Sequence, residues 1–338
     1  MTSLQSVLSQ VPVSDCPPIT LLAGGVGGAK AAEGLQASLY AEKAAVIANI
    51  GDDEIFHGLK VCPDIDTLIY SLSDQIDRNK GWGLKEESYQ VLSGLKDLGC
   101  DTWMTLGDKD FATHIYRSMA LNKGQTLTEV TEQLATRYKV TLPIMPPTDD
   151  PVPTQLYYAH QWHSFQDYFV REQCRPDIED IRFSGAEQAN ATDKVLNQLS
   201  QSEIILLAPS NPLVSIGAIL AVPGIREAIQ DSNAFVVAIS PFITGKTVKG
   251  PADRMMRAMG KDAGNIALAE HYSDLIHALV IDQQDQPDAQ AIEATGIKVL
   301  SINTLMTTLQ DKKEVITASI QWALEQSRGL LAQKEATL

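Results

Sequence analysis

The chain has 338 residues, of which 44% are hydrophobic, and its formal net charge at pH 7 is -15. This length can bury one large α/β core, with or without a smaller attached lobe, and it excludes a small scaffold held together by disulfides. The negative charge disfavours nucleic acid and anionic membranes as partners, because both are recognised through clustered Lys and Arg side chains.

The N-terminal segment and the cysteines indicate the cellular setting. Residues 1–18 have no basic and apolar leader pattern, and they are predicted to be an N-terminal extension without chemistry. The four cysteines include no CxxC pair, so neither a disulfide framework nor a zinc site is indicated. No apolar run is long enough to cross a bilayer. We therefore expect a soluble, cytoplasmic protein with no membrane partner.

The first half of the chain alternates apolar runs with helix-period stretches, the order that βαβ units produce. ITLLAGG (19–25) predicts a first strand, followed by a glycine turn and a helix. AAVIANIGDD (44–53) predicts a second strand. A helix is predicted to begin at Asp66, whose side chain would cap it. WMTLGDKD (103–110) predicts a further strand that ends in polar residues.

Two fully apolar, β-branched runs in the second half are typical of strands buried on both faces of a sheet. They cover residues 202–212 and 234–245, and the helix predicted between them is interrupted at Pro223. Two later strands and a C-terminal helix over 312–334 follow. Together these elements predict a doubly wound, mostly parallel Rossmann-like sheet.

The segment 124–200 has a different pattern. It contains one helix, a proline-rich loop and an aromatic stretch with weak strand alternation. It is predicted to form a smaller α+β lobe inserted into the core, which would then consist of residues 19–123 and 201–338.

The glycine-rich sequence AGGVGGAK (23–30) lies between the first strand and its helix, where free backbone N–H groups favour an anion. It matches neither GxGxxG, because Lys30 occupies the last glycine position, nor GxxxxGK[ST], because Ala29 replaces the second glycine. We interpret it as a phosphate-contacting turn with Lys30 as a charge partner. The alternative is a tight turn that only packs the helix on the strand.

Acidic residues gather where the second strand ends. NIGDD contributes Asp53, and CPDIDT adds Asp64 and Asp66. One acid there would suffice to bind the ribose of NAD, which keeps an NAD enzyme as an alternative. Several carboxylates beside a phosphate turn suit Mg²⁺, which proteins hold with one or two carboxylates plus substrate phosphate. A third interpretation is that they are helix caps and solvated loop acids.

Two further polar segments follow predicted strands. LGDKDFATHIYRS (106–118) contributes Lys109, because an anionic substrate needs cations in so acidic a chain, and His114, which alone is more often structural. APSNPLVSIG (208–217) lies at the carboxyl edge of the predicted sheet, where open α/β sheets bind ligands. The next strand end adds Lys249 for phosphate.

Six motifs follow one another over most of residues 21–285: GGVGGAK, NIGDDEIFHGLKVCPDIDTLIYSL, LGDKDFATH, PTDDPVPT, PSNPLVSIGAILAVPGIREAI and SPFITGKTVKGPADRMM. In this order they resemble the 2-phospho-L-lactate transferases of deazaflavin coenzyme F(420) biosynthesis. The resemblance implies transfer of a phospho-acid from a guanosine diphosphate-linked donor to the ribityl hydroxyl of 7,8-didemethyl-8-hydroxy-5-deazariboflavin. It also implies Mg²⁺ as cofactor and release of GMP.

The resemblance further implies roles for individual residues. It places Mg²⁺ on Asp53 and Asp64, and it makes Asp66 and Lys109 catalytic, with Asp66 near the acceptor hydroxyl. Lys109 stands where many relatives carry Arg, which would turn a forked contact into a point charge. The implied acceptor-binding residues are Asp64, Asp66, Lys109 and His114. The implied nucleotide- and phosphate-binding residues are Gly25, Gly28, Lys30, Pro209, Ser210, Asn211, Ser215 and Lys249.

A UDP-sugar-binding regulator of the same superfamily, without catalysis, is the alternative from a different class, and CPDIDT with GDKD argues against it. No residue indicates whether the donor carries lactate, enolpyruvate or glycerate. The implied partners are the two small-molecule substrates. A homodimer is expected only because two-fold dimers are the commonest closed assemblies.

Overall fold

The structure is a computed structural model that describes residues 16–337, with side chains up to residue 329. The predicted N-terminal extension, residues 1–18, therefore lies almost entirely outside the described residues. Within the described range, no helix is both long and apolar enough to span a membrane.

A seven-stranded parallel sheet forms the centre of the protein. The strands, numbered in chain order, are β1 (Ile19–Ala23), β2 (Ala44–Ala48), β5 (Ile144–Met145), β9 (Ile204–Leu207), β10 (Phe235–Ile239), β13 (Ala278–Asp282) and β14 (Lys298–Ile302). Their spatial order is β14-β13-β10-β9-β1-β2-β5. The predicted doubly wound Rossmann-like sheet is confirmed.

The order of the strands creates a crevice at one edge of the sheet. From β1 the chain adds β2 and β5 on one side, and then returns to add β9, β10, β13 and β14 on the other side. Parallel α/β sheets bind ligands at such a reversal, outside the carboxyl ends of the two strands that flank it. Here those strands are β1 and β9, which pair from Ile19 with Ile204 to Leu22 with Leu207.

Helices cover both faces of the sheet. Alternation along β1 shows the two layers, because Leu21 packs in the hydrophobic cluster on one face and Leu22 in the cluster on the other. The helices are α1 (Gly25–Gln36), α2 (Pro63–Leu72), α3 (Gln90–Asp97), α4 (Asp108–Asn122), α5 (Leu127–Arg137), α6 (Asp193–Gln201), α7 (Gly217–Leu220), α8 (Ile225–Gln230), α9 (Ala252–Ala258), α10 (Asn265–His271), α11 (Ala289–Glu293) and α12 (Leu309–Thr337). The predicted break near Pro223 separates α7 from α8.

The C-terminal helix α12 packs tightly against α1. A Cβ atom on Gly34 would lie 2.3 Å from the carbonyl oxygen of Lys312, so the two backbones touch. Beside this contact Lys312 forms a buried ion pair with Glu33, which also accepts a 2.8 Å hydrogen bond from Arg78. Helix α1 is therefore held from two sides, by α12 and by α2.

Small sheets complete the fold. The hairpins are β3 (Glu54–Phe56) with β4 (Leu59–Val61) and β11 (Phe242–Ile243) with β12 (Lys246–Thr247). The three-stranded sheet contains β6 (Thr154–Tyr158), β7 (Gln161–Ser164) and β8 (Asp180–Phe183). This last sheet lies in the segment predicted as an inserted lobe, but β5 of the same segment pairs with β2 of the main sheet. The domain boundaries at 124 and 200 stay a prediction.

Two local predictions were wrong. Residues 103–107 form no strand, and Asp108 already begins α4. Their apolar side chains instead join a small separate core in which Leu106 packs with Phe56 and Phe111. Helix α2 begins at Pro63, earlier than predicted, because proline is favoured in a first helical turn. Asp66 consequently lies within the helix and does not cap it.

Candidate active site

A cavity of about 500 Å³ lies at the reversal between β1 and β9. One wall is formed by the turn at residues 24–27 and the loop at 209–215, and another by residues of α2 and α4. The loops at 80–83 and 249–251 and the aromatic side chains of Phe165 and Phe169 complete it. The loops that follow the central strands therefore converge on one cavity.

The glycine turn after β1 is closely packed. A Cβ atom on Gly24 would lie 2.8 Å from the Asn49 Cβ and 2.9 Å from the Asp64 Oδ2, and one on Gly27 would lie 2.1 Å from the Pro209 carbonyl oxygen. Gly25 has a φ of +61°, which favours glycine, and it lines the cavity. Gly28 does not line the cavity, because it packs on Ala23 inside α1. Only the first half of the motif therefore faces a ligand.

The loop after β9 is organised by its own polar side chains. Ser210 Oγ donates to the Gly24 carbonyl oxygen at 2.7 Å and accepts from the Gly24 N–H at 3.2 Å. Asn211 Oδ1 accepts from the Leu213 N–H at 2.9 Å and so caps the turn that follows. Pro209, Ser210, Asn211 and Ser215 all line the cavity. The structure therefore brings together the predicted loop residues and Gly25.

A buried acidic pair, Asp52 and Asp64, faces the glycine turn. The Nδ2 of Asn49 donates to the Asp52 Oδ1 and to the Asp64 Oδ2, both at 2.8 Å. Burial raises the pKa of Asp64 to about 6, although hydrogen bonds from Asn49 and the Gly25 N–H act in the opposite direction. Burial and then the charge of Asp64 raise the pKa of Asp52 well above its usual range. Two carboxylates thus share one neutral amide.

Asp53, the predicted metal ligand, lies on the other side of this loop. Its Oδ2 is 3.1 Å from the Lys60 Nζ and accepts a 3.1 Å hydrogen bond from the Cys62 Sγ. It lines a neighbouring cavity of about 480 Å³ and not the cavity at the glycine turn. No role was predicted for Asp52 and Asn49 from the sequence. Asn49 is the first residue after β2, and that position was the available signal.

Asp66 and Arg117 form a buried ion pair between α2 and α4. Both Asp66 oxygens accept hydrogen bonds from the guanidinium group, the Oδ2 at 3.1 Å from Nη1. Burial opposes the charge of Arg117, but the charge and hydrogen bond of Asp66, together with Cys62 and Tyr70, raise the pKa of Arg117 above its usual range. Asp66 lines the cavity with a carboxylate that is already fully paired. The prediction that it accepts a proton stays a prediction.

Two titratable side chains of α4 also line this part of the cavity. Burial lowers the pKa of His114 to about 4, so its imidazole is neutral at physiological pH. Burial and then the negative charge of Asp66 raise the pKa of Asp110 to about 7. His114 could be predicted from the sequence, whereas Asp110 was not predicted.

The predicted lysines are separated by the structure. Lys249 lines the cavity, together with Lys80. Lys109 is exposed and its Nζ donates to the Lys85 carbonyl oxygen at 2.5 Å, outside the cavity. Lys30 also lies outside the cavity lining, and burial followed by the charges of Lys312 and Lys249 lowers its pKa.

The acidic pair has the chemistry of a divalent-cation site. Asp52 and Asp64 are buried carboxylates with raised pKa values, and no cationic side chain of the described residues is among their hydrogen-bond partners. Among the described residues, no group of three or more acidic, histidine or cysteine side chains could enclose a metal ion. Two carboxylates suit Mg²⁺, which takes its remaining ligands from water and substrate phosphate. The residues present therefore fit this ion.

The reversal crevice, the glycine turn and the helix that follows it define a doubly wound α/β protein of the kind that binds phosphorylated ligands. The family model described as 2-phospho-L-lactate transferase CofD matches residues 19–320. The chain belongs to this transferase family.

Relatives in the family have two kinds of name. A phosphoenolpyruvate transferase from Kitasatospora aureofaciens is 39% identical over 318 residues, which are 92% of this chain and 99% of the relative. A 2-phospho-L-lactate transferase from Methanosarcina mazei is 36% identical over 301 residues, which are 89% of this chain and 99% of the relative.

A similar fold occurs in a solved structure of a UPF0052 family member from Bacillus halodurans. Its TM-score is 0.62 at 13% identity, and the match covers 89% of this chain and 98% of that one. This similarity shows the fold alone.

Proposed function

We propose that the protein transfers a phospho-acid group from a guanosine diphosphate-linked donor to the ribityl hydroxyl of 7,8-didemethyl-8-hydroxy-5-deazariboflavin, with release of GMP, in coenzyme F(420) biosynthesis. Family membership supports the transferase class. The observation that carries the proposal is the position of the Asp52–Asp64 pair, which faces the glycine turn in the reversal cavity. Carboxylates without a cation beside an anion-binding turn are expected where a metal-neutralised diphosphate is cleaved.

The donor diphosphate would lie against the glycine turn. The turn opens helix α1, which has no side-chain cap, and the helix dipole favours negative charge there. Lys249 would supply a positive charge from the opposite loop. The loop at 209–215 would hold the nucleotide, because Ser210 fixes it to the glycine turn. These contacts allow a chain of charge -15 to bind an anion.

Mg²⁺ would be held by Asp52 and Asp64, where it would neutralise charge on the diphosphate oxygens. The acceptor hydroxyl would approach from the wall formed by α2 and α4. Asp66 acts there by holding Arg117, which in turn contacts His114 at 3.3 Å between Nη1 and Nδ1. In phosphoryl-type transfer the protein contributes mostly position and charge, so a rigid wall is itself a catalytic contribution.

The test is a product assay with defined substrates. The protein is incubated with Mg²⁺, the deazaflavin and, in separate reactions, guanylylated lactate, enolpyruvate or glycerate phosphate. Mass spectrometry should show one phospho-acid on the deazaflavin and an equal amount of GMP. The donor with the highest kcat/KM identifies the acid, for which the two named relatives suggest lactate or enolpyruvate. Absence of any deazaflavin adduct with all three donors would refute the proposal.

A binding measurement separates the enzyme from the regulatory alternative. Isothermal titration with GDP, UDP-N-acetylglucosamine and the deazaflavin should give binding of the first and third ligands. Binding of the UDP-sugar alone would contradict the proposed transfer.

A further inference from the structure

We propose that Asp110 and His114 form a hydrogen-bonding edge that recognises a ring carbonyl next to a ring N–H on the acceptor substrate. The inference rests on the proposed function and deepens it, because it names the part of the acceptor that the enzyme recognises. His114 would donate to the carbonyl oxygen, and Asp110 would accept from the N–H. Arg117 and Asp66 are positioning residues for this edge.

The two side chains share one face of α4. Asp110 and His114 are four residues apart in the helix, so they are neighbours on its surface. Both are buried in the protein and both line the cavity. A ligand in the cavity therefore meets them together.

The contact with Arg117 decides which nitrogen of His114 carries the proton. Arg117 Nη1 lies 3.3 Å from His114 Nδ1, and a guanidinium group can only donate hydrogen bonds. The Nδ1 must therefore be the bare, accepting nitrogen. Asp66 Oδ2 is 3.7 Å from the same Nδ1, too far for a hydrogen bond that would require a proton there. Since the imidazole is neutral, its one proton is on Nε2.

The Nε2 of His114 is a buried donor without a partner among the described residues. Buried N–H groups are nearly always hydrogen-bonded, because an unpaired one costs about 1–3 kcal/mol. A carbonyl oxygen of a bound ligand would satisfy it, and a second donor would not. The position of the proton on His114 thus specifies an acceptor atom on the ligand.

The surroundings favour a flat ring. Trp82 and Phe169 line the cavity and expose 42% and 43% of their surface. Phe169 stacks on Phe165 with ring centroids 5.4 Å apart and planes 12° apart, which holds it in place. Aromatic faces of this kind bind planar heterocycles. A planar ring with a carbonyl–N–H edge fits both the aromatic surfaces and the polar edge.

Two rings in the proposed reaction carry such an edge, the deazaflavin and the guanine of the donor. The glycine turn and the 209–215 loop, which are proposed to hold the nucleotide, contact each other and Asp64. Asp110 and His114 instead contact Glu87, Asp66 and Arg117, so the edge is built from other residues than the nucleotide side of the cavity. We therefore assign the edge to the deazaflavin.

The first experiment is performed on the wild-type protein. Titration calorimetry compares the deazaflavin with its analogue methylated on the ring nitrogen between the two carbonyls. The analogue should bind at least about 10-fold more weakly, because the methyl group replaces the N–H that Asp110 accepts. Equal binding would overturn the inference and leave the proposed function intact. If the wild-type protein binds no deazaflavin, both are wrong.

The second experiment uses variants. His114→Leu should weaken deazaflavin binding about 10-fold or more and leave GDP binding within twofold, while His114→Gln, which keeps an N–H donor, should recover part of the loss. Ile115→Ala, an exposed neighbour on α4, is the matched control. Loss of GDP binding instead would assign the edge to guanine and overturn the inference.

The third experiment measures the proton directly. Nitrogen-15 NMR of histidine-labelled wild-type protein should show the Nε2–H form for His114, identified by its absence from the His114→Gln spectrum. Arg117→Lys should alter this signal more than that of any other histidine. An Nδ1–H form of His114 in the wild-type protein would overturn the inference.

Discussion

Asp64 and Asp66 are two residues apart on the first turn of α2, yet they have opposite surroundings. Asp66 is paired through both oxygens with the buried Arg117. Asp64 shares the amide of Asn49 with another carboxylate, Asp52. A paired buried charge supports the structure, whereas buried like charges destabilise it and are expected only where a ligand compensates. Asp66 therefore belongs to the supporting wall of the site, and Asp64 to the part proposed to act on the substrate.

The largest effect is expected from replacing Asp66, which breaks its ion pair with Arg117. Asp66→Ala leaves Arg117 buried without a counter-charge and should lower the free energy of unfolding by about 3–5 kcal/mol. Urea denaturation measures it. Asp74→Ala is the control, because Asp74 is exposed and its ion pairs with Arg78 and Lys85 should contribute less than about 1 kcal/mol. Similar losses of stability in Asp66→Ala and Asp74→Ala would contradict the expected difference between the buried and the exposed ion pairs.

The opposite effect on stability is expected when Asp64, which lies beside another carboxylate, is replaced. Asp64→Asn should keep or raise stability without metal, because it removes one of two buried like charges, while kcat/KM for transfer should fall about 100-fold or more. Thermal denaturation and the GMP-release assay test the two parts. A variant that loses stability and keeps activity would show that Asp64 is structural.

The same carboxylate predicts a pH dependence. Its pKa is raised by burial from 3.8 to about 6, so the folded state binds a proton that the unfolded state has lost between these values. The contribution of Asp64 to stability is therefore fully present below pH 3.8 and is lost as pH rises through about 6, by about 3 kcal/mol.

This dependence is measured by urea denaturation between pH 4 and 7 without Mg²⁺, as the difference between wild type and Asp64→Asn. The subtraction is needed because Asp52, Asp53 and Asp110 also have raised pKa values and act in the same direction. Addition of Mg²⁺ at pH 7 should restore stability to wild type and less to the variant. A pH-independent difference would contradict the assignment.

A smaller effect is expected from moving Asp64 without changing it. Gly24→Ala would place a Cβ atom 2.9 Å from the Asp64 Oδ2 and 2.8 Å from the Asn49 Cβ. It should raise the KM for the nucleotide donor about 10-fold, with a stability loss of about 1–3 kcal/mol. Gly94→Ala in α3 has no atom within 4 Å of the new Cβ and should be neutral or stabilising.

The smallest effect is expected for the lysine that lies outside the cavity. Lys109→Ala should change kcat/KM less than threefold, because the Nζ of Lys109 is engaged by the Lys85 carbonyl oxygen. Lys249→Ala should raise the KM for the donor about 10-fold, since Lys249 lines the cavity. Steady-state kinetics compare the two variants, and a larger loss in Lys109→Ala would restore its predicted catalytic role.

The sheet could be predicted from the sequence because its strands are buried on both faces and therefore appear as unbroken apolar runs, as at Ile204–Leu207. The strand predicted from residue 103 was wrong for the same reason. Residues 103–107 are apolar because they pack in a separate small core, not because they belong to the sheet. An apolar run predicts that a segment is buried, but it does not predict that the backbone of the segment pairs with a strand.

The site could be predicted as a set of loops but not as a set of atoms. The choice between Asp52 and Asp53 depends on the turn after β2, where the Gly51 N–H donates to Asn49 Oδ1 and the Asp53 N–H to the Ile50 carbonyl oxygen. Because of this turn, Asp52 lines both cavities, whereas Asp53 lines only the cavity away from the glycine turn. Likewise, the proton position on His114 follows from a contact with Arg117 that residue spacing does not specify.

The packing of α12 on α1 has a consequence for biosynthesis of the chain. The helix that begins at the glycine turn is seated against backbone nearly three hundred residues further along, at Lys312. During translation the N-terminal strand and helix emerge long before this support exists. We therefore expect nascent chains that stop before α12 to be sensitive to protease at α1, and to gain resistance only after α12 has been synthesised.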